Sequence, residues 1–245
     1  MRQLLGSVTL IVPFAMLAAC GQGEGGKAPP ASPEARQTEA SEAETLLTSL
    51  VTPRQKGPYA PRDECGAISG AEEFRVKLAQ AVIDRDTDAL VALSAPDIAL
   101  DFGGGAGRAE LRRRLIDPQY NLWEALQNLL PLGCAVNQQG GFTMPWYFTQ
   151  DFGDRDSYTL LLVRGEGVPL LASQRRDAKV LRTFDWDVVQ LEDSTDEDSP
   201  FAKVDDYGKL SGYMEWDKLR ALVDYRLIVE EREDGWVLSA FVAGD

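Results

Sequence analysis

Hydrophobic residues recur along this chain in two distinct rhythms. Phe74, Leu78, Ala81 and Val82 fall at helical spacing behind Ser69-Gly70-Ala71-Glu72, which has the form of a capping box, so the pattern predicts an amphipathic helix over 70 to 83. Asp86 or Asp88 can cap a second short helix carrying Leu90, Val91 and Leu93, stopped by Pro96. Ile98, Leu100 and Phe102 then alternate as a strand before Gly103-Gly104-Gly105. A third helix is predicted from Arg108 to Ile116. A fourth covers Leu122 to Leu130, with Leu122, Leu126, Leu129 and Leu130 on one stripe.

After Pro131 the rhythm shortens. Strand-like runs are predicted at Phe142 to Thr149, Ser157 to Arg164, Val168 to Ala172, Lys179 to Leu191, Phe201 to Val204 and Gly212 to Trp216. Two further runs, Arg226 to Glu231 and Trp236 to Val242, flank Asp234-Gly235 as a hairpin. The apolar residues of that hairpin, Tyr225, Leu227, Val229, Trp236, Leu238 and Phe241, need a surface to cover. They are expected to return to the upstream helices, with extension of the later strands as the alternative. The fold class is therefore α+β.

The amino terminus follows neither rhythm. Residues 1–19 join a short basic start to an almost uncharged run too short for a stable transmembrane span, which reads as a secretory signal. Leu17-Ala18-Ala19-Cys20 resembles the lipobox of bacterial lipoproteins. That resemblance implies cleavage before Cys20, lipidation of its sulfur and a membrane anchor. Gly21, where the inner-membrane retention signal usually has Asp, points it to the outer membrane, facing the periplasm. From residue 20 to 62 the composition is that of a flexible linker.

Two further resemblances lie downstream. Residues 151–221 are expected as one unit in which the stretch from Tyr158 to Leu219 looks like a bacterial SH3-like domain. The match is carried by Val168-Pro169-Leu170, Asp185-Trp186-Asp187-Val188-Val189, Phe201-Ala202-Lys203-Val204 and Gly212-Tyr213-Met214. It implies a small β-barrel, commonly an envelope-targeting or peptide-binding module, and here a binding module for an envelope protein or a peptidoglycan peptide. Residues 63–150 together with 222–245 are expected as the other unit. Its helix, helix, strand order and the Phe102-Gly103-Gly104 turn look like the start of an NTF2-like α+β domain.

Composition narrows the chemistry. In 245 residues there are 39 acids against 25 Lys plus Arg, a formal net charge of -14 that disfavours nucleic acid and anionic lipid surfaces. There is no histidine, which removes imidazole bases, His-dependent nucleophiles and His-ligated zinc. No cofactor, metal or catalytic residue is assigned, and the non-enzymatic reading leads. An oxidising compartment would allow one bridge between Cys65 and Cys134, whereas Cys134 also reads as a small buried hydrophobe.

Candidate ligand contacts are the aromatics Tyr158, Tyr207, Tyr213 and Trp216, with Phe184 and Trp186 read as core. The acidic run Glu192 to Asp198 reads as a solvated loop. The glycine turn reads as a device that positions Asp101 and Arg108. The carboxylate pairs Asp97 with Asp101 and Asp185 with Asp187 arise readily in so acidic a chain. The alternative function is a His-independent hydrolase or a small-ligand binder using an acidic pocket in the first unit. A raised pKa on Asp101 or another acid facing Arg or Tyr would favour the hydrolase.

Overall fold

The computed structural model describes residues 55–192 and 199–244. Residues 1–54, including Cys20 and the lipobox, lie outside the described residues, as does the acidic run from 193 to 198.

Among the described residues four α-helices and twelve strands follow in order. Helices α1 (Ala71–Ile83) and α2 (Thr87–Leu93) lead into strand β1 (Ser94–Ala99), and α3 (Arg108–Ile116) and α4 (Leu122–Leu129) precede β2 (Ala135–Val136) and β3 (Phe142–Met144). The middle of the chain holds β4 (Leu160–Val163), β5 (Val168–Leu171), β6 (Val180–Phe184), β7 (Val188–Leu191), β8 (Phe201–Asp205), β9 (Ser211–Glu215) and β10 (Leu219–Ala221). The closing hairpin is β11 (Arg226–Arg232) and β12 (Gly235–Val242).

These strands form two open sheets. A five-stranded sheet runs β1-β12-β11-β3-β2, and a seven-stranded sheet runs β10-β4-β7-β8-β9-β5-β6. The closing hairpin thus lies inside the first sheet, between β1 and β3. Its apolar residues Leu227, Val229, Leu238 and Phe241 pack with Phe74, Leu78, Leu111, Leu126 and Phe142 in one core beneath the helices.

The closed SH3-like barrel does not form. Among the described residues strand β10 pairs only with β4 and β6 only with β5, so the seven-stranded sheet ends in two separate edges. Much of β6 faces solvent, with Val180 49% exposed, and Arg182 charges that edge. The expected single run from Lys179 to Leu191 is also two strands. It breaks at Trp186, whose φ of 39° leaves the extended region while its amide donates to the Gly165 carbonyl. The NTF2-like resemblance gives way likewise to the coarser description: mixed α+β, with two open sheets.

Smaller corrections have local causes. Ser69 does not cap α1; the cap is Gly70 at φ 77°. Trp236 packs against this position, and its indole Nε1 donates to the Ser69 carbonyl at 3.0 Å. The first strand starts before Pro96, because Ser94 and Ala99 pair with β12 in parallel and the edge position tolerates a proline. Beyond Ala99 the Leu100 amide donates to the Gly105 carbonyl, so the backbone turns back on itself instead of extending to Phe102.

The seven-stranded sheet is buried on both faces at its β4 end. Leu161 and Val163 join Leu170, Phe184, Val204 and Met214 on one side, and Leu160 and Leu162 join Trp146, Tyr147, Val188 and Leu222 on the other. All four β4 residues are consequently buried and apolar, as expected of a strand covered on two faces.

Candidate functional site

The segment before α1 is tied down by a disulfide. Cys65 and Cys134 are both fully buried and bridged, with Cα atoms 5.8 Å apart and a sequence separation of 69. Cys134 donates its amide to the Arg62 carbonyl, and the Glu64 amide donates to the Cys134 carbonyl, both at 2.9 Å. Gly133 makes that approach feasible, since a Cβ there would stand 2.2 Å from the Arg62 oxygen.

Asp63 sits beside the bridge. Its Oδ1 accepts from the Cys65 amide at 3.0 Å and from Arg75 Nη1 at 2.9 Å, while Oδ2 accepts from Arg75 Nη2 at 2.8 Å. The carboxylate and the two sulfurs offer three ligand atoms within 4.8 Å of one another. Asp63 is exposed on its outer side, whereas both sulfurs and Arg75 are enclosed. Sequence reading missed Asp63; its place two residues before Cys65 was the only signal.

A second concavity lies on the α1–α2 hairpin. The open groove of about 350 Å³ is lined by Lys77, Gln80, Ala81, Asp84, Asp86, Ala89, Ala92 and Leu93. Alanine methyls and Leu93 supply its apolar wall. The Gln80 side chain donates Nε2 to Asp84 Oδ2 at 2.7 Å and leaves its buried Oε1 without a hydrogen-bond partner. Asp86 caps α2 by accepting from the Ala89 amide at 3.0 Å. Among the described residues neither Asp84 nor Asp86 forms an ion pair, while Lys77 is held by Glu73 at 2.7 Å. The Ile83-Asp84-Arg85-Asp86 turn was the sequence signal for this acidic end.

The glycine turn is a closed system by contrast. Asp101 Oδ1 accepts from the amides of Gly103 and Gly105, both at 2.8 Å, and its Oδ2 pairs with Arg114. Those two amides therefore serve Asp101 rather than an external anion. Arg108 donates Nε to the Ser94 carbonyl at 2.8 Å. The Arg114 hydrogen bond lowers the Asp101 pKa below the ordinary range, and Arg113 with Arg114 brings Glu110 down to about 2. A general acid needs the opposite shift. Asp97 is also lowered, by its hydrogen bond from Arg232. Asp185 and Asp187 accept from the backbone amides of Gly167 and Val188.

The four aromatic candidates are not brought together. Tyr158 is 58% exposed in the turn before β4. Tyr207 packs against the core on one face of the seven-stranded sheet, donating its hydroxyl to the Val188 carbonyl at 2.7 Å. Burial raises its pKa. Trp216 packs against the core on the other face. Tyr213 alternates with Met214, which points into that core, so Tyr213 stands on the opposite side of β9. Phe184 is core, and Trp186 is half-buried in the turn before β7. A groove made by Tyr158, Tyr207, Tyr213 and Trp216 is absent.

Comparison with known protein families, with curated proteins and with solved structures finds no match for this chain. The lipoprotein, SH3-like and NTF2-like resemblances therefore gain no support, and the reading as an SH3-like binding module is withdrawn. The open sheet removes its fold and the scattered aromatics remove its groove. Among the described residues no helix is long and apolar enough to cross a membrane.

Proposed function

We propose that the chain is a small-ligand-binding protein whose site is the groove between α1 and α2, taking an organic cation with a short apolar body. The observation that carries this reading is the buried Gln80 Oε1, an acceptor without a partner, in a groove that also presents Asp84 and Asp86 without cationic partners. An ammonium would donate to those oxygens while its alkyl portion covers Ala81, Ala89, Ala92 and Leu93. The overall charge of -14 favours the approach of such a cation. Against the hydrolase, Asp101 and Glu110, which face arginines, are shifted down, opposite to what a general acid needs.

The test is titration of the full chain with n-hexylammonium and, separately, hexanol. Saturable binding of the ammonium and weak binding of the alcohol are expected. Ala92→Trp should fill the groove and remove binding; ammonium affinity unchanged by Ala92→Trp would overturn the assignment.

A second reading rests on the three ligand atoms of Asp63, Cys65 and Cys134. Two-electron reduction of the bridge by an added dithiol would yield two thiols. Loss of their protons on metal binding would leave two sulfurs and one carboxylate oxygen, a donor set that suits a thiophilic divalent ion such as zinc. Arg75 occupies both Asp63 oxygens and places a buried cation against the incoming metal, which opposes binding. Cadmium added to the reduced chain tests this reading: a thiolate charge-transfer band lost in Cys134→Ala would support it, and no band would exclude it.

A further inference from the structure

Strand β4 divides its side chains between two cores. Leu160 and Leu162 face the core shared with Tyr147 and Leu222, and Leu161 and Val163 face the other. Arg164 follows this alternation onto the Leu160 and Leu162 side, and its amide continues the ladder by donating to the Lys218 carbonyl at 2.7 Å. On β10, Arg220 stands directly opposite Leu162. Arg164 and Arg220 are therefore diagonal neighbours on one face of the sheet.

The two guanidiniums are treated very differently. Arg220, 6% exposed, donates Nε to the Tyr147 hydroxyl at 2.9 Å and Nη2 to the Tyr225 carbonyl at 2.7 Å, and its Nη1 pairs with Asp224 at 2.8 Å. Arg164 is half-buried, and among the described residues its guanidinium has neither an acceptor nor a carboxylate partner. The carboxylates that act on it are already held, Asp224 by Arg220 and Asp217 by Lys218 at 2.9 Å. Three cations thus face two carboxylates, and one positive charge is left over.

We propose that Arg164 is the anchor of a small-carboxylate site at the β4–β10 edge, with Arg220 as the fixed second cation. A guanidinium presents paired N–H groups that match a carboxylate, and such charge-assisted bonds are stronger than neutral ones. The single surplus charge is balanced by a monoanion and over-balanced by a phosphate dianion. Burial, with repulsion from Arg220, already pushes the Arg164 guanidinium down, and a bound carboxylate would offset both penalties. This site lies on the seven-stranded sheet and is independent of the helical groove.

The experiment follows the arginine Nε–Hε resonances of the full chain by NMR while sodium acetate replaces sodium chloride at fixed ionic strength. A saturable shift of the Arg164 resonance is expected. The acetate effect on the neighbouring Arg220 resonance should saturate at the same concentration and weaken at least about tenfold in Arg164→Gln. It should persist in Lys209→Gln, an exposed control. Circular dichroism establishes that Arg164→Gln is folded, and Arg164→Lys, which keeps the charge but loses the fork, replaces it if it is not. Linear shifts, saturation unaffected by the Arg164 variants, or tighter binding of inorganic phosphate at pH 8 would each overturn the proposal.

Discussion

Two acidic regions flank β1, and their carboxylates have opposite fates. In the Gly103 to Gly105 turn and on α3, Asp101 and Glu110 are consumed by Arg113, Arg114 and backbone amides. In the α1–α2 groove, Asp84 and Asp86 have only neutral local donors, and Gln80 Oε1 has none. The first arrangement holds a turn in shape, because every acceptor is spent. The second keeps acceptors open beside apolar surface, which is what recognition of a ligand requires. Carboxylate spacing along a sequence does not distinguish the two; the cations that fold onto the carboxylates do.

The harshest way to disturb the comparison is to remove the staple that fixes α1. Cys65→Ala with Cys134→Ala should lower stability by about 4 kcal/mol on the chain-entropy estimate for a loop of this length. Denaturant unfolding of the double variant measures that loss, and a change below about 1 kcal/mol would mean that the bridge adds little to the native fold. The consequence should reach the groove through Arg75 of α1, which Asp63 holds beside the bridge.

Charge removal separates the two regions more finely. Asp84→Asn with Asp86→Asn should weaken ammonium binding by about tenfold, since two exposed charges each contribute up to about 1 kcal/mol and asparagine preserves the α2 cap. Asp101→Asn should leave that binding unchanged and instead loosen the glycine turn, read as faster amide exchange at Gly103 and Gly105. Calorimetric titration of both variants decides whether the groove is the acidic region that binds.

The smallest expected effect is on acid stability. The folded pKa of Glu110 lies below its ordinary value, so its pairing stabilises the fold above about pH 4.5 and is lost as pH falls toward 2. Asp101 is shifted in the same direction by Arg114. Glu110→Gln should therefore flatten the fall of the melting temperature between pH 4.5 and 2. An unaltered slope would show that its arginine contacts are equally present in the unfolded chain.

The helical part of the fold was the more legible in sequence. The α3 boundaries follow from local pattern, and α1, α2 and α4 lie within the predicted segments, because one face of each packs on a common core. Sheet closure was not legible. Short β-rich runs separated by turns fit a barrel and an open sheet equally well, and the difference lies in whether β6 and β10 meet, a long-range contact without a local signal. Among candidate sites, Tyr207 and Trp216 serve cores on opposite faces of one sheet, a placement without a local signal. The bridging cysteines were visible as a pair, but Asp63 and Gln80 carry chemistry through partners that only the fold supplies.

The most direct measurement is calorimetric titration of n-hexylammonium into the full chain and into Ala92→Trp, both shown to be folded. Saturable, one-to-one binding to the first and none to the second is expected, with hexanol far weaker than the ammonium. Binding of equal strength to both proteins, or equal affinity for ammonium and alcohol, would contradict the assignment of the α1–α2 groove as a cation site.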